Sequence, residues 1–165
     1  MQLVVADAGL LIAMAVAGVL PLALEQFEFC MPQAVLDECL ADAYSPGVQS
    51  IFEASRQSAF TLIPYSAIQA LDSAYAMGFG SGEVAVLCNA HEHRQIALID
   101  ERRARRIAQR LWVSVVGSGA ALLILNKSGA VASIQPALKA WRSHGYFLSP
   151  ALHDQLLASA GERAS

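Results

Sequence analysis

The first 55 residues of this 165-residue chain contain no lysine or arginine; the first is Arg56. A secretory leader opens with a basic stretch, so its lack argues against export. Cysteine is scarce too. Cys30, Cys39 and Cys88 are odd in number and show no C-x-x-C spacing, which leaves no disulfide framework and no structural zinc site. They read as reduced core thiols of a cytoplasmic protein. Charged residues make up only 15% of the chain, against about 25% in an average soluble domain. Much of the surface is therefore apolar, which suits a homo-oligomer or a tightly bound protein partner. Repeats, low-complexity stretches and linkers are missing. The expectation is one domain over residues 1–160, with 161–165 as a frayed tail.

Hydrophobic sequence is abundant, at 55% of residues. The run LVVADAGLLIAMAVAGVLPLAL, residues 3–24, has the length of a membrane span. It carries one charge, Asp7. An Asp at the centre of a span costs roughly 2.5–3.5 kcal/mol, and no basic anchors flank this one. Gly9, Gly18 and Pro21 punctuate the run. It reads as a buried strand and helix with a carboxylate between them, and no membrane segment is expected.

Short apolar runs then alternate with helical patterns. QLVVA (2–6), FEFCM (27–31), FTLIPY (60–65), QIALI (95–99) and VSVV (113–116) read as strands, with Pro64 marking an edge or strand end. Helices are expected over 10–19, over PQAVLDECLADAY with Pro32 in its first turn, over SPGVQSIFEASRQS after its Pro-Gly break, and over 66–77. Further helices follow from Ser81, over DERRARRIAQRL, over GSGAALLILNKSG, and near 133–143 and 149–160. Alternation of this kind implies an α/β fold, a central, mainly parallel sheet of four to five strands flanked by helices.

In such a sheet, sites gather beyond the carboxyl ends of the strands. Asp7 directly follows LVVA and Asp100 directly follows IALI, so both fall on one edge, as does Ser118 after VSVVG. Glu38, in the second turn of the helix after FEFCM, and Glu83, in the first turn of the helix after Ser81, start from the same edge. Converging carboxylates repel each other unless a cation lies between them. Oxygen ligands with few His or Cys favour Mg²⁺ or Mn²⁺, ions that activate water for in-line attack on a phosphodiester. Each acid also has a plainer reading. Asp7 and Asp100 suit N-caps. Glu83 suits a helix N-terminus. Glu38 suits a solvated helix face, with Asp37 as its rival. A receiver-like phosphoacceptor role for Asp7 lacks a strand-end lysine, because only Lys127 and Lys139 exist.

The segments VVADAGLLIAMAVAG, MPQAVLDECL, GFGSGEVAVLCNAHEH, IALIDERRARRIAQRL and VVGSGAALLILNKSG, in this order and spacing, resemble PIN-domain ribonucleases, close to the VapC-type toxins of bacterial toxin–antitoxin pairs. GYFLSPALHDQLLASAGE resembles the tail of one PIN subgroup. The resemblance covers nearly the whole chain. It implies a three-layer sandwich, Mg²⁺ or Mn²⁺ as cofactor, RNA as substrate, and a cognate antitoxin that covers the site, with a homodimer also compatible. By motif position it implies catalytic and metal-binding roles for Asp7, Glu38, Glu83 and Asp100, with Glu101 and Ser118 as accessories. The family usually carries Ser or Thr and then Ser or Asn after the first acid; here Ala8 and Gly9 stand there. That departure leaves open a catalytically degenerate PIN fold that binds RNA or protein.

Net charge is −3, so nothing attracts nucleic acid globally. Residues 94–110 nonetheless hold six Arg. Arg102, Arg105 and Arg106 are candidates for RNA phosphates, against the reading of a solvated helix face. His91 and His93 are spaced for a helix C-terminus rather than a metal. GSGAAL lacks the third glycine and downstream acid of a dinucleotide site. Trp112 and Trp141 read as packing or interface residues.

Overall fold

The computed structural model describes residues 2–63 and 81–163. The helix read over 66–77 and Pro64 lie outside the described residues. The strands are β1 (Gln2–Ala6), β2 (Phe27–Pro32), β3 (Phe60–Ile63), β4 (Ile96–Leu98) and β5 (Val115–Val116). The described helices are α1 (Ala8–Val16), α2 (Leu20–Gln26), α3 (Gln33–Leu40), α4 (Val48–Arg56), α5 (Ser81–His93), α6 (Arg102–Arg110), α7 (Ser118–Lys127), α8 (Gln135–Ser143) and α9 (Pro150–Ser159).

The five strands form one parallel sheet in the order β3-β2-β1-β4-β5. Helices flank it in a PIN-like α/β sandwich. Central parallel strands are covered on both faces and so are apolar along their length. Val4, Val5 and Ala6 of β1 are accordingly buried, with α5 packed against β1, β2 and β4. Phe27, Phe29 and Phe60 meet edge to face across β2 and β3, with centroids 6.0 and 6.4 Å apart, the arrangement ring quadrupoles favour.

The strands read over 95–99 and 113–116 are shorter, at Ile96–Leu98 and Val115–Val116, and three further boundaries differ from expectation for a local reason. The helix read over 10–19 starts at Ala8, because Asp7 caps it, and ends at Val16. Gly18, at φ 70°, closes it in a Schellman turn: the Gly18 N–H donates to Ala15 O and the Val19 N–H to Met14 O, both at 3.0 Å. The chain then bends by 118° into α2, a helix absent from the sequence reading. Among the described residues no single helix is long and apolar enough to cross a membrane. Pro32 ends β2 and occupies the cap position rather than the first turn of α3, which stops at Leu40. Asp100 does not cap the arginine-rich helix: Glu101 does, accepting from the Ala104 N–H.

Trp141 and Glu162 tie distant parts of the chain together. The Trp141 indole, fully buried, donates to Ala13 O at 2.7 Å and fastens α8 to α1. Glu162, in the segment expected to fray, accepts from Ser133 Oγ and the Ile134 N–H, both at 2.8 Å. Cys30, Cys39 and Cys88 are all buried. Trp112, read as a packing or interface residue, is 95% exposed and does not pack in the core.

Candidate active site

The strand order decides where chemistry can gather. From β1 the chain steps outward to β2 and β3, then returns to β4 on the other side of β1 and continues to β5. The connections after β1 and β4 therefore leave in opposite directions and open a crevice at the carboxyl edge between them. Asp7 is the residue after β1 and Asp100 lies just beyond β4. They are brought side by side because the Asp7 N–H donates to Leu98 O at 3.0 Å, extending the ladder into the loop.

Asp7 is 4% exposed. Its Oδ1 accepts from the Leu10 N–H at 2.7 Å, so the plainer reading of this acid as an N-cap holds as well. Burial pushes its carboxyl up to about 7, the Leu10 amide works against that rise, and the charges of Asp100 and Glu83 add to it. A carboxyl in this position lacks a counter-charge. Asp100 is held by three donors: the Ser118 N–H at 2.8 Å, the Ser118 hydroxyl and the Tyr146 hydroxyl. Burial raises the Tyr146 phenol well above its ordinary value, and the neighbouring Asp100 carboxylate raises it further. Tyr146 therefore stays a neutral donor. Ser118 is buried at the start of α7, where the short β5 and Gly117 deliver it.

Glu38 on α3 is exposed and Glu83 on α5 is half-buried. They approach because α3 and α5 cross closely at Gly82. A Cβ there would stand 3.1 Å from Val35 Cγ2 and 3.2 Å from Glu38 Oε2, so a larger residue would push the helices apart. Asp7, Glu38, Glu83, Asp100 and Glu101, with Ala8 and Gly9, line one cleft of about 350 Å³ that carries no basic side chain among the described residues. Glu101 spends one oxygen on its helix cap.

Among the described residues, no three His, Cys, Asp or Glu side chains stand close enough to form a finished metal site. The donor chemistry nonetheless fits a hard divalent cation: every candidate ligand is a carboxylate oxygen, and the deepest of them is buried without a compensating charge. Arg102 and Arg105, both exposed, lie outside this cleft on a groove that shares Asp100 with it; Arg106 is exposed and lines neither. His91 and His93 end α5 as expected, and His91 Nδ1 lies 3.0 Å from Leu111 O. Tyr146 is the site residue that sequence reasoning missed. The sequence shows only a tyrosine after a glycine, 46 residues beyond its partner, with no spacing that links the two.

No curated protein and no solved structure gave a significant match to the chain. A family model described as DUF3368: PIN domain matches residues 3–162. The chain therefore belongs to the PIN-domain family, whose members are generally nucleases and generally use divalent metals.

Proposed function

We propose that the protein is a Mg²⁺- or Mn²⁺-dependent endoribonuclease and the VapC-type toxin of a toxin–antitoxin pair, acting in the cytoplasm. The observation that carries this reading is the meeting of Asp7, Glu38, Glu83 and Asp100 in one base-free cleft at the point where the sheet changes direction. Asp7 and Asp100 would hold the cation, and Glu38 and Glu83 would complete its surroundings or orient the attacking water. When bound, the cation supplies positive charge to the phosphodiester oxygens and a water of lowered pKa. Ser118 and Tyr146 hold the Asp100 carboxylate in position by hydrogen bonds. Glu101 is an accessory at the rim, and Arg102, Arg105 and Arg106 are available to RNA phosphates. A cognate antitoxin would inhibit by covering the cleft, and the apolar composition suits both that complex and a homodimer.

The test is cleavage of RNA by the purified protein with Mg²⁺ or Mn²⁺, with and without chelator, beside D7N. Asn also caps helices, so D7N is expected to fold and to lose metal-dependent cleavage. An equally active D7N would overturn the assignment. Ala8 and Gly9 favour a second reading, a non-cleaving PIN fold that binds RNA or protein. A side chain at position 9 is not sterically excluded, since a Cβ there would stand 3.7 Å from Asp7 Oδ1. Under the second reading the parent binds no Mn²⁺ in calorimetric titration; under the first it does, and D7N does not.

A further inference from the structure

We propose that the groove leading from Asp100 past Arg102 and Arg105 to Phe147 is a nucleotide subsite, in which an unpaired base of single-stranded RNA stacks on the Phe147 ring while its phosphates pair with the two arginines. The proposal rests on the nuclease reading and adds to it a base-binding subsite on this chain's own residues.

The groove has a volume of about 540 Å³ and shares Asp100 with the acidic cleft. A strand lying in it would pass directly from the proposed metal position. Its charged residues other than Asp100 are Arg102 and Arg105, both cations. A Cβ on Gly117 would meet Asp100 Oδ1 at 3.0 Å and Arg105 Nη1 at 3.3 Å, so carboxylate and guanidinium share one corner. In a chain of net charge −3, this is a local place where a polyanion is attracted.

Phe147 is 84% exposed, so its ring face is open to a ligand. It does not sit on a loose loop. Tyr146, the preceding residue, is anchored three ways: its hydroxyl to Asp100, its N–H to Trp141 O at 2.8 Å, and its ring against Trp141 at 5.3 Å. Two residues after Phe147, Ser149 caps α9 by accepting from the Leu152 N–H at 3.2 Å. The ring is thus presented from a fixed backbone beside the proposed reaction centre. An exposed, rigid aromatic ring paired with arginines is the combination that single strands use, because every unpaired base has a face to stack. A duplex offers no such face, since its bases are already stacked.

The experiment uses D7N, so that RNA stays intact, in chelator-containing buffer. Binding of a fluorescent single-stranded RNA oligomer is measured by anisotropy across a salt series, beside D7N/F147A and D7N/R102A/R105A. Phe147 is exposed, so its truncation leaves the core alone. F147A is expected to weaken single-strand binding about tenfold, with an unchanged salt slope, and to leave weak duplex binding as it was. The arginine pair is expected to lower the salt slope by about 1.4, or 0.7 for each single-strand phosphate contact. Equal affinity of D7N and D7N/F147A would overturn the subsite while leaving the nuclease reading in place. So would an F147A effect confined to sedimentation, with a dimer becoming a monomer, because Phe147 would then be a protein contact. An untouched protein that neither binds nor cuts RNA would overturn the nuclease reading itself.

Discussion

Tyr146 meets the candidate site at Asp100 and, at 3.4 Å, at Ser118 Oγ, and it helps to fix where the Asp100 carboxylate points. Its hydroxyl and that of Ser118 both donate to Asp100, leaving the carboxylate no freedom to turn toward solvent. Partners of this kind are worth about 10–100-fold in metal affinity elsewhere. Y146F keeps the ring against Trp141 and deletes only the donor. It is expected to weaken Mn²⁺ binding about tenfold in calorimetric titration, while stability falls by about 1 kcal/mol. Unchanged Mn²⁺ affinity in Y146F would show that Asp100 is held well enough by Ser118 alone. Asp7 has a double task at this scale. One of its oxygens caps α1, which is why the plain and the functional readings of this residue do not exclude each other.

At the scale of elements, the site depends on how α1 and α8 are joined. α1 begins at the residue after Asp7, and its Ala13 carbonyl receives the Trp141 indole N–H. Ala13 O also accepts from the Ala17 N–H at 3.0 Å, so removing the indole donor deletes one buried hydrogen bond without orphaning the carbonyl, at a cost of about 1 kcal/mol. W141F is therefore expected to lower the unfolding free energy by that amount, seen as a lower urea midpoint with an unchanged slope, and W141A by about 3–5 kcal/mol through the cavity it leaves. A midpoint unmoved by W141F would mean that water or a shifted helix replaces the bond. The meeting of α3 and α5 at Gly82 plays the corresponding part for Glu38 and Glu83.

For the molecule as a whole, the acidic cleft imposes an unusual pH dependence. Asp7 titrates near 7 when folded, against an ordinary value of 3.8. Between those values the folded state holds a proton that the unfolded state has lost, so stability falls as pH rises through this window and levels off above it. Three pH units at 1.36 kcal/mol each set the loss at about 4 kcal/mol at most. Urea unfolding in chelator is expected to show higher stability at pH 5 than at pH 8. In D7N the difference contributed by this residue should vanish. If D7N and the parent follow one pH profile, Asp7 is not the group responsible.

Much of this was legible along the chain. Five apolar runs separated by helical patterns determined a parallel sheet, because strands covered on both faces must be apolar throughout. Acids placed directly after two of those runs marked the carboxyl edge, and Ser118 after a third did the same. The sequence did not show that β1 and β4 are neighbours, which is what turns two strand-end acids into one site. Nor did it show that Glu101 relieves Asp100 of capping, that Gly18 splits the first helical run in two, or that Tyr146 and Phe147 arrive beside Asp100. Periodicity reports which face of an element is buried. Contacts across tens of residues obey no period, so only the closed fold, where sheet order and helix crossings place distant residues together, decided them.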